Sequence, residues 1–192
     1  MAAVLYSVQI YMDFSGGIDI ARGVAQCLGI DLPLNFERPF FSKSLSEFWR
    51  RWHISLGAWM KDYVFYPISL SSTWTKIGKW ARNKISKNAG KTIPASLTAF
   101  VVFFIIGVWH GASWNFVVYG FYNATIIALS TLLEPSFAKT IEKLRINTDS
   151  FWWKLFQMTR TTVICAIGRV IAHAATLSAA FTMLGGIFSS PF

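Results

Sequence analysis

Charge is what this sequence has least of. Over the 42 residues from Thr92 to Leu133 there is no Lys, Arg, Asp or Glu. An ordinary soluble domain, with about a quarter of its residues charged, does not leave so long a stretch uncharged. Acids are scarcer than bases, 9 against 18, and charged residues make up 14% of the chain, so the composition is that of a membrane protein. Only two cysteines are present, Cys27 and Cys165, both among apolar neighbours. They exclude a disulfide framework and a paired-cysteine zinc site, and read as small buried hydrophobes. No HExxH pattern, internal repeat or low-complexity tract occurs, and nothing points to a metal or a second domain. The start, "AAVLYSVQIYMDFSGG", has no basic region ahead of its apolar residues, which argues against a cleaved signal peptide.

The uncharged run is long enough for two helices of about 20 residues. It predicts a helix over Ile93–Trp109, about 26 Å long, then a break and a second apolar helix closing at "LEPS", Leu133 to Ser136. The break reads "GVWHGASWN", and His110 is the one ionisable imidazole in it. At membrane depth such a group needs a partner, water or a chemical task. Trp109, Trp114, Phe116, Tyr119, Phe121 and Tyr122 crowd around it, as an interfacial belt or as a pocket wall.

Six basic residues and no acid lie between Lys76 and Lys91, a polar loop that the positive-inside rule assigns to the cytoplasmic face of a bilayer rather than to nucleic acid. Ahead of it, "SLSE" at Ser44–Glu47 is a capping box. It opens an amphipathic helix whose apolar stripe holds Leu45, Phe48, Trp49, Trp52, Leu56, Trp59, Met60 and Tyr63. Arg50 and Lys61 fall opposite that stripe and His53 at its edge, which suits a helix lying in the membrane interface. Asp13 and Asp19 are carboxylates in an otherwise apolar stretch; Arg22 can pair with Asp19, and Asp13 beside the Gly16-Gly17 pair reads as a helix cap.

Three segments, "YMDFSGGIDIARG", "NFERPFFSKSLSEFWRRWHISLGAWMKDYVFYP" and "GVWHGASWNFVVYGFYN", together resemble the membrane-bound O-acyltransferase family, in the branch of alginate O-acetyltransferases and teichoic acid D-alanyl transfer proteins. The resemblance runs from about Tyr11 to Asn123. It implies an all-α, multi-pass transmembrane helical bundle with amphipathic interfacial helices. It also implies that residues 1–192 are the C-terminal portion of a single acyltransferase domain, since family members carry further helices ahead of this region. Its proposed catalytic histidine corresponds to His110, and its second histidine to His53. Trp109 and Asn115 are then candidates for substrate contacts, with Trp52 beside His53 as a third.

That family's chemistry implies no bound cofactor. The acyl donor is a co-substrate, acyl-CoA or an acyl carrier protein, arriving from the cytoplasm. The acceptor is a hydroxyl of a cell-surface polymer, and the partners are the lipid bilayer and proteins of an envelope-modification system. A neutral imidazole suits removal of a proton from a hydroxyl as it attacks a thioester. Acetyl transfer to a polysaccharide is the first expectation. D-alanyl transfer to teichoic acid is the alternative, as is a transport component in which His110, Asp13 and Asp19 line an ion path. A shared active site requires both imidazoles to face one cavity walled by Trp and Tyr, within roughly 15 Å of each other.

Overall fold

The computed structural model describes residues 2–189, and among these every regular element is helical. Helix α1 spans Ala2–Cys27; α2 is Leu45–Arg51, α3 Ile54–Met60 and α4 Tyr66–Ser69, with one wide π-type turn at Lys61–Phe65 between the last two. Helix α5 is Ser72–Lys84, α6 Ala89–His110, α7 Trp114–Lys143, α8 Phe151–His173 and α9 Leu177–Ser189. The all-α architecture that the resemblance implies is present, with two helices long and apolar enough to span a membrane.

Helices α6 and α7 are long and apolar enough to cross a bilayer, yet only 28% and 22% of their most apolar windows are buried, where a soluble core helix would be mostly covered. With 22 residues, α6 is about 33 Å long, matching a hydrocarbon core of about 30 Å. Phe104, Val108, Phe121, Leu129 and Leu132 point outward and are exposed. Such a surface fits lipid. The two helices are antiparallel and very close. A Cβ on Gly107 would lie 2.6 Å from the Phe116 carbonyl oxygen, and one on Gly120 would meet the carbonyl of Phe103. Only glycine permits that approach.

Three boundaries differ from the sequence reading, each for a local reason. Helix α7 does not close at "LEPS" but continues through Pro135 to Lys143. The carbonyl that Pro135 leaves without a donor belongs to Thr131, and the residues from 132 to 140 are all exposed, so surroundings can satisfy it. The basic stretch is not a loop, because α5 takes it up: Ser71 Oγ accepts from the Trp74 amide at 3.4 Å, and Gly78 and Ala81 are buried. Asp13 lies in the middle of α1 and caps nothing.

The amphipathic segment is interrupted as well. After Arg51 the chain leaves the helix at Trp52, and His53 adopts a left-handed conformation, φ 51° and ψ 54°. The cause is the segment Asn35–Glu37, which pairs with it like a strand. Phe36 bridges Trp52, the Glu37 amide donates to the Arg51 carbonyl at 2.9 Å, and the Ile54 amide donates to that of Asn35 at 3.0 Å. The capping box does form, with Glu47 N–H donating to Ser44 Oγ at 3.1 Å, although the Glu47 carboxylate accepts from the Lys43 amide rather than that of Ser44. Arg51 holds the same carboxylate at 2.7 Å.

Two apolar clusters fasten this segment to the long helices. Leu45, Phe48 and Trp52 bury with Cys165 of α8, while Met60 buries with Phe103 and Ile106 of α6 and Ala124 of α7. Trp49 packs against both clusters. Cys165 is buried as expected, but Cys27 at the end of α1 is exposed.

Candidate active site

His53 owes its position to the break between α2 and α3. A helical residue there would point along the α2 stripe; the left-handed turn instead swings the imidazole beside Asn35, whose Oδ1 lies 3.3 Å from Nδ1. The Phe14 ring meets it edge-on at 4.9 Å. Half-buried, the imidazole is held below its usual pKa of 6.5, first by burial and then by His110 nearby.

His110 ends α6. Its ring stacks on Phe116 at 5.8 Å and meets Trp109 at 5.0 Å. Trp109 also lies 6.3 Å from His53. Those two spacings laid end to end are the greatest separation the His53 and His110 ring centres can have, and that is inside the roughly 15 Å a common substrate requires. The third histidine of the chain, His173 at the end of α8, joins from beyond Phe116 at 6.2 Å and contacts Tyr6 of α1 at 5.4 Å. Four elements therefore bring all three histidines to one end of the bundle. His173 and Asn35 were not among the residues the sequence singled out for the site. The rarity of histidine, 3 in 192, was the available signal for the first; nothing local announced the second.

A cavity of about 640 Å³ opens beside His53. Trp49, Trp52, Leu56, Met60, Phe103 and Ile106 supply an apolar wall, and Arg50 and Lys61 add two cations. No acid and no tyrosine borders it among the described residues. Trp109 and His110 lie outside that wall and are exposed, so the two imidazoles are close but do not face one cavity walled by Trp and Tyr, as the sequence reading had required.

The remaining candidates have definite places. Trp52 is buried between the Phe48 ring, stacked at 5.5 Å, and the Arg169 guanidinium, 4.3 Å above its face. Asn115 is buried and donates through Nδ2 to the carbonyls of Ala174 at 2.8 Å and Ile171 at 3.1 Å. It caps the end of α8 and thereby holds His173 near His110. Trp109, 59% exposed, is free to meet a substrate. Asp13 and Asp19 are exposed on α1, and Asp19 pairs loosely with Arg22 at 3.7 Å. Neither borders the cavity.

The model of the membrane-bound O-acyltransferase family matches residues 1–168. The chain is 34% identical over 190 residues to the probable alginate O-acetylase of Azotobacter vinelandii, covering 98% of this chain and 32% of that protein. It is 35% identical over 129 residues to the teichoic acid D-alanyltransferase of Bacillus subtilis, covering 67% and 30%. A peptidoglycan O-acetyltransferase of Helicobacter pylori is 35% identical over 130 residues, covering 68% and 21%. The chain thus spans about a third or less of the length of these curated relatives.

Proposed function

Because this chain belongs to the membrane-bound O-acyltransferase family, we propose that the protein transfers an acyl group, acetyl in the first instance, from a thioester donor to a hydroxyl of a cell-surface polysaccharide. His110 is the general base. Its imidazole takes the hydroxyl proton as the oxygen attacks the thioester carbonyl; the carbon–oxygen bond forms, the carbon–sulfur bond breaks, and the proton passes to the departing thiolate. His53 orients the reactants, with Trp109 adjoining both rings. The observation that carries this reading is that His53 and His110 both adjoin Trp109, with His53 bordering an apolar cavity.

The cavity supports a place for the donor. Its wall suits an acyl thioester and its arm, while Arg50 and Lys61 suit the phosphate that acyl-CoA or a carrier-borne donor carries. A multi-pass arrangement is consistent with the two candidate spans. The relatives favour a sugar-containing polymer of the envelope as acceptor, since those named above act on alginate, teichoic acid and peptidoglycan.

Mass spectrometry of surface polymers from cells with the native gene, without it, and with His110→Ala tests this. Acetyl groups should be present in the first and absent in the other two, with the variant protein at normal abundance in the membrane. Loss of protein together with loss of acetylation would assign His110 a structural role instead. D-alanyl esters in place of acetyl groups would establish the alternative acyl group from the same spectra.

A further inference from the structure

Asn35 is 6% exposed, and its side-chain oxygen receives three groups. The Ser55 amide approaches Oδ1 at 3.0 Å, the Ser55 hydroxyl at 3.0 Å and His53 Nδ1 at 3.3 Å. A backbone N–H only donates, so the carboxamide atom facing Ser55 must be oxygen and the usual amide ambiguity is removed. An amide oxygen only accepts. The imidazole nitrogen beside it must therefore carry hydrogen, and in the neutral ring the lone pair is then on Nε2.

We propose that Asn35 is a positioning residue that fixes His53 as the Nδ1-protonated tautomer, leaving Nε2 as an acceptor for a hydrogen-bond donor on the substrate. Its use in catalysis rests on the acyltransferase reading above. The tautomer does not. Among the described residues no other side chain hydrogen-bonds this ring: His53 stands at a chain break rather than inside a helix, Phe14 makes a T-shaped ring contact, and Trp109 is a ring spacing away. Asn35 itself is fixed, because its own carbonyl accepts the Ile54 amide and its neighbours Phe36 and Glu37 pair with Trp52 and Arg51. With Nδ1 engaged, Nε2 is the His53 ring nitrogen left with a lone pair, and His53 borders the cavity.

Nitrogen-15 NMR of histidine-labelled full-length protein in detergent tests the tautomer directly, the His53 signals being those lost in His53→Gln. Above pH 7 the expected result is a protonated Nδ1 and an unprotonated Nε2; the reverse assignment overturns the proposal whether or not activity is seen. Asn35→Ala should give mixed tautomers and reduce kcat/KM by about 10²-fold, the scale of a misplaced reactive group. Where that variant fails to accumulate, Asn35→Asp decides. It keeps the acceptor oxygen and adds a negative charge to surroundings that hold His110 of α6, Arg50 and Arg51 of α2 with Glu47 paired to the latter, Lys61, Glu37 of the bridging segment and Arg169 of α8. The charge favours imidazolium, so the acidic limb of the pH–rate profile should move to higher pH. An unmoved limb would reduce Asn35 to a support for Ser55. Absence of acyl transfer in the wild type, with the tautomer as stated, would instead remove the functional reading and leave the positioning intact.

Discussion

Trp49 donates its indole N–H to Asn123 Oδ1 at 3.2 Å, across 74 residues of sequence, while Asn123 Nδ2 donates to the Tyr119 carbonyl of its own helix. One amide thus ties the interfacial segment to α7, and Trp49 in turn touches Phe103 and Tyr119. Removing it with Asn123→Ala leaves the indole donor without its partner in a mostly buried place. The expected loss is about 1–3 kcal/mol in the docking of α2. Hydrogen exchange of residues 45–60 should rise while that of α6 does not.

The close packing of α6 on α7 predicts a second result. Gly120→Ala forces a methyl against the Phe103 carbonyl, and the helices must separate at a cost of about 1–3 kcal/mol. Gly16→Ala, where nothing lies within 4 Å, should leave the thermal midpoint unchanged or slightly raised. Thermal unfolding in detergent, followed on both variants, distinguishes a packing contact from a general intolerance of substitution.

Topology supplies a third. The cations of α5 and the start of α6 belong on the cytoplasmic side. A cysteine placed at Asn83, in a Cys27→Ser background, should resist an impermeant reagent added to intact cells and react once they are opened. Labelling in intact cells would invert the orientation.

The fourth concerns pH. Burial, and then His110, lowers the pKa of His53 in the folded protein below its unfolded value of 6.5. The unfolded chain therefore binds more protons at mildly acidic pH, so the contribution of this site to stability is complete above pH 6.5 and is lost as pH falls below it. Stability measured between pH 7.5 and about pH 5.5 should decline less steeply in His53→Gln than in the wild type.

Much of this was legible before the fold was known, where the signal was local. The uncharged run marked α6 and α7, and the break at His110 followed from the glycines and polar residues around it. Ser44 and Glu47 announced a helix start. What escaped was set by contacts between segments. The stripe from Leu45 to Tyr63 has good helical periodicity throughout, yet Asn35–Glu37 competes for its backbone hydrogen bonds and breaks it at the residue that matters most. Asn115 looked suited to a substrate because it sits near His110, whereas its amide donors are taken by the end of α8, 56 and 59 residues away. Periodicity reports which face a residue occupies; it is silent about which partner arrives there.

Helix α7 has 30 residues, a length of about 45 Å, well beyond the hydrocarbon core that α6 spans. Being antiparallel to α6, it brings its excess turns, with Lys139 and Lys143 beside Glu134 and Glu142, out on the side where α5 and Lys91 lie. The two acids offset the two lysines, so the basic charge on that side is that of α5 and Lys91. A field of that kind reaches about 8 Å at physiological ionic strength and fades as salt is added. On the proposed function, capture of an anionic donor from that side should weaken as salt is added, while the bond-making proposed at the far end of the same two helices should not.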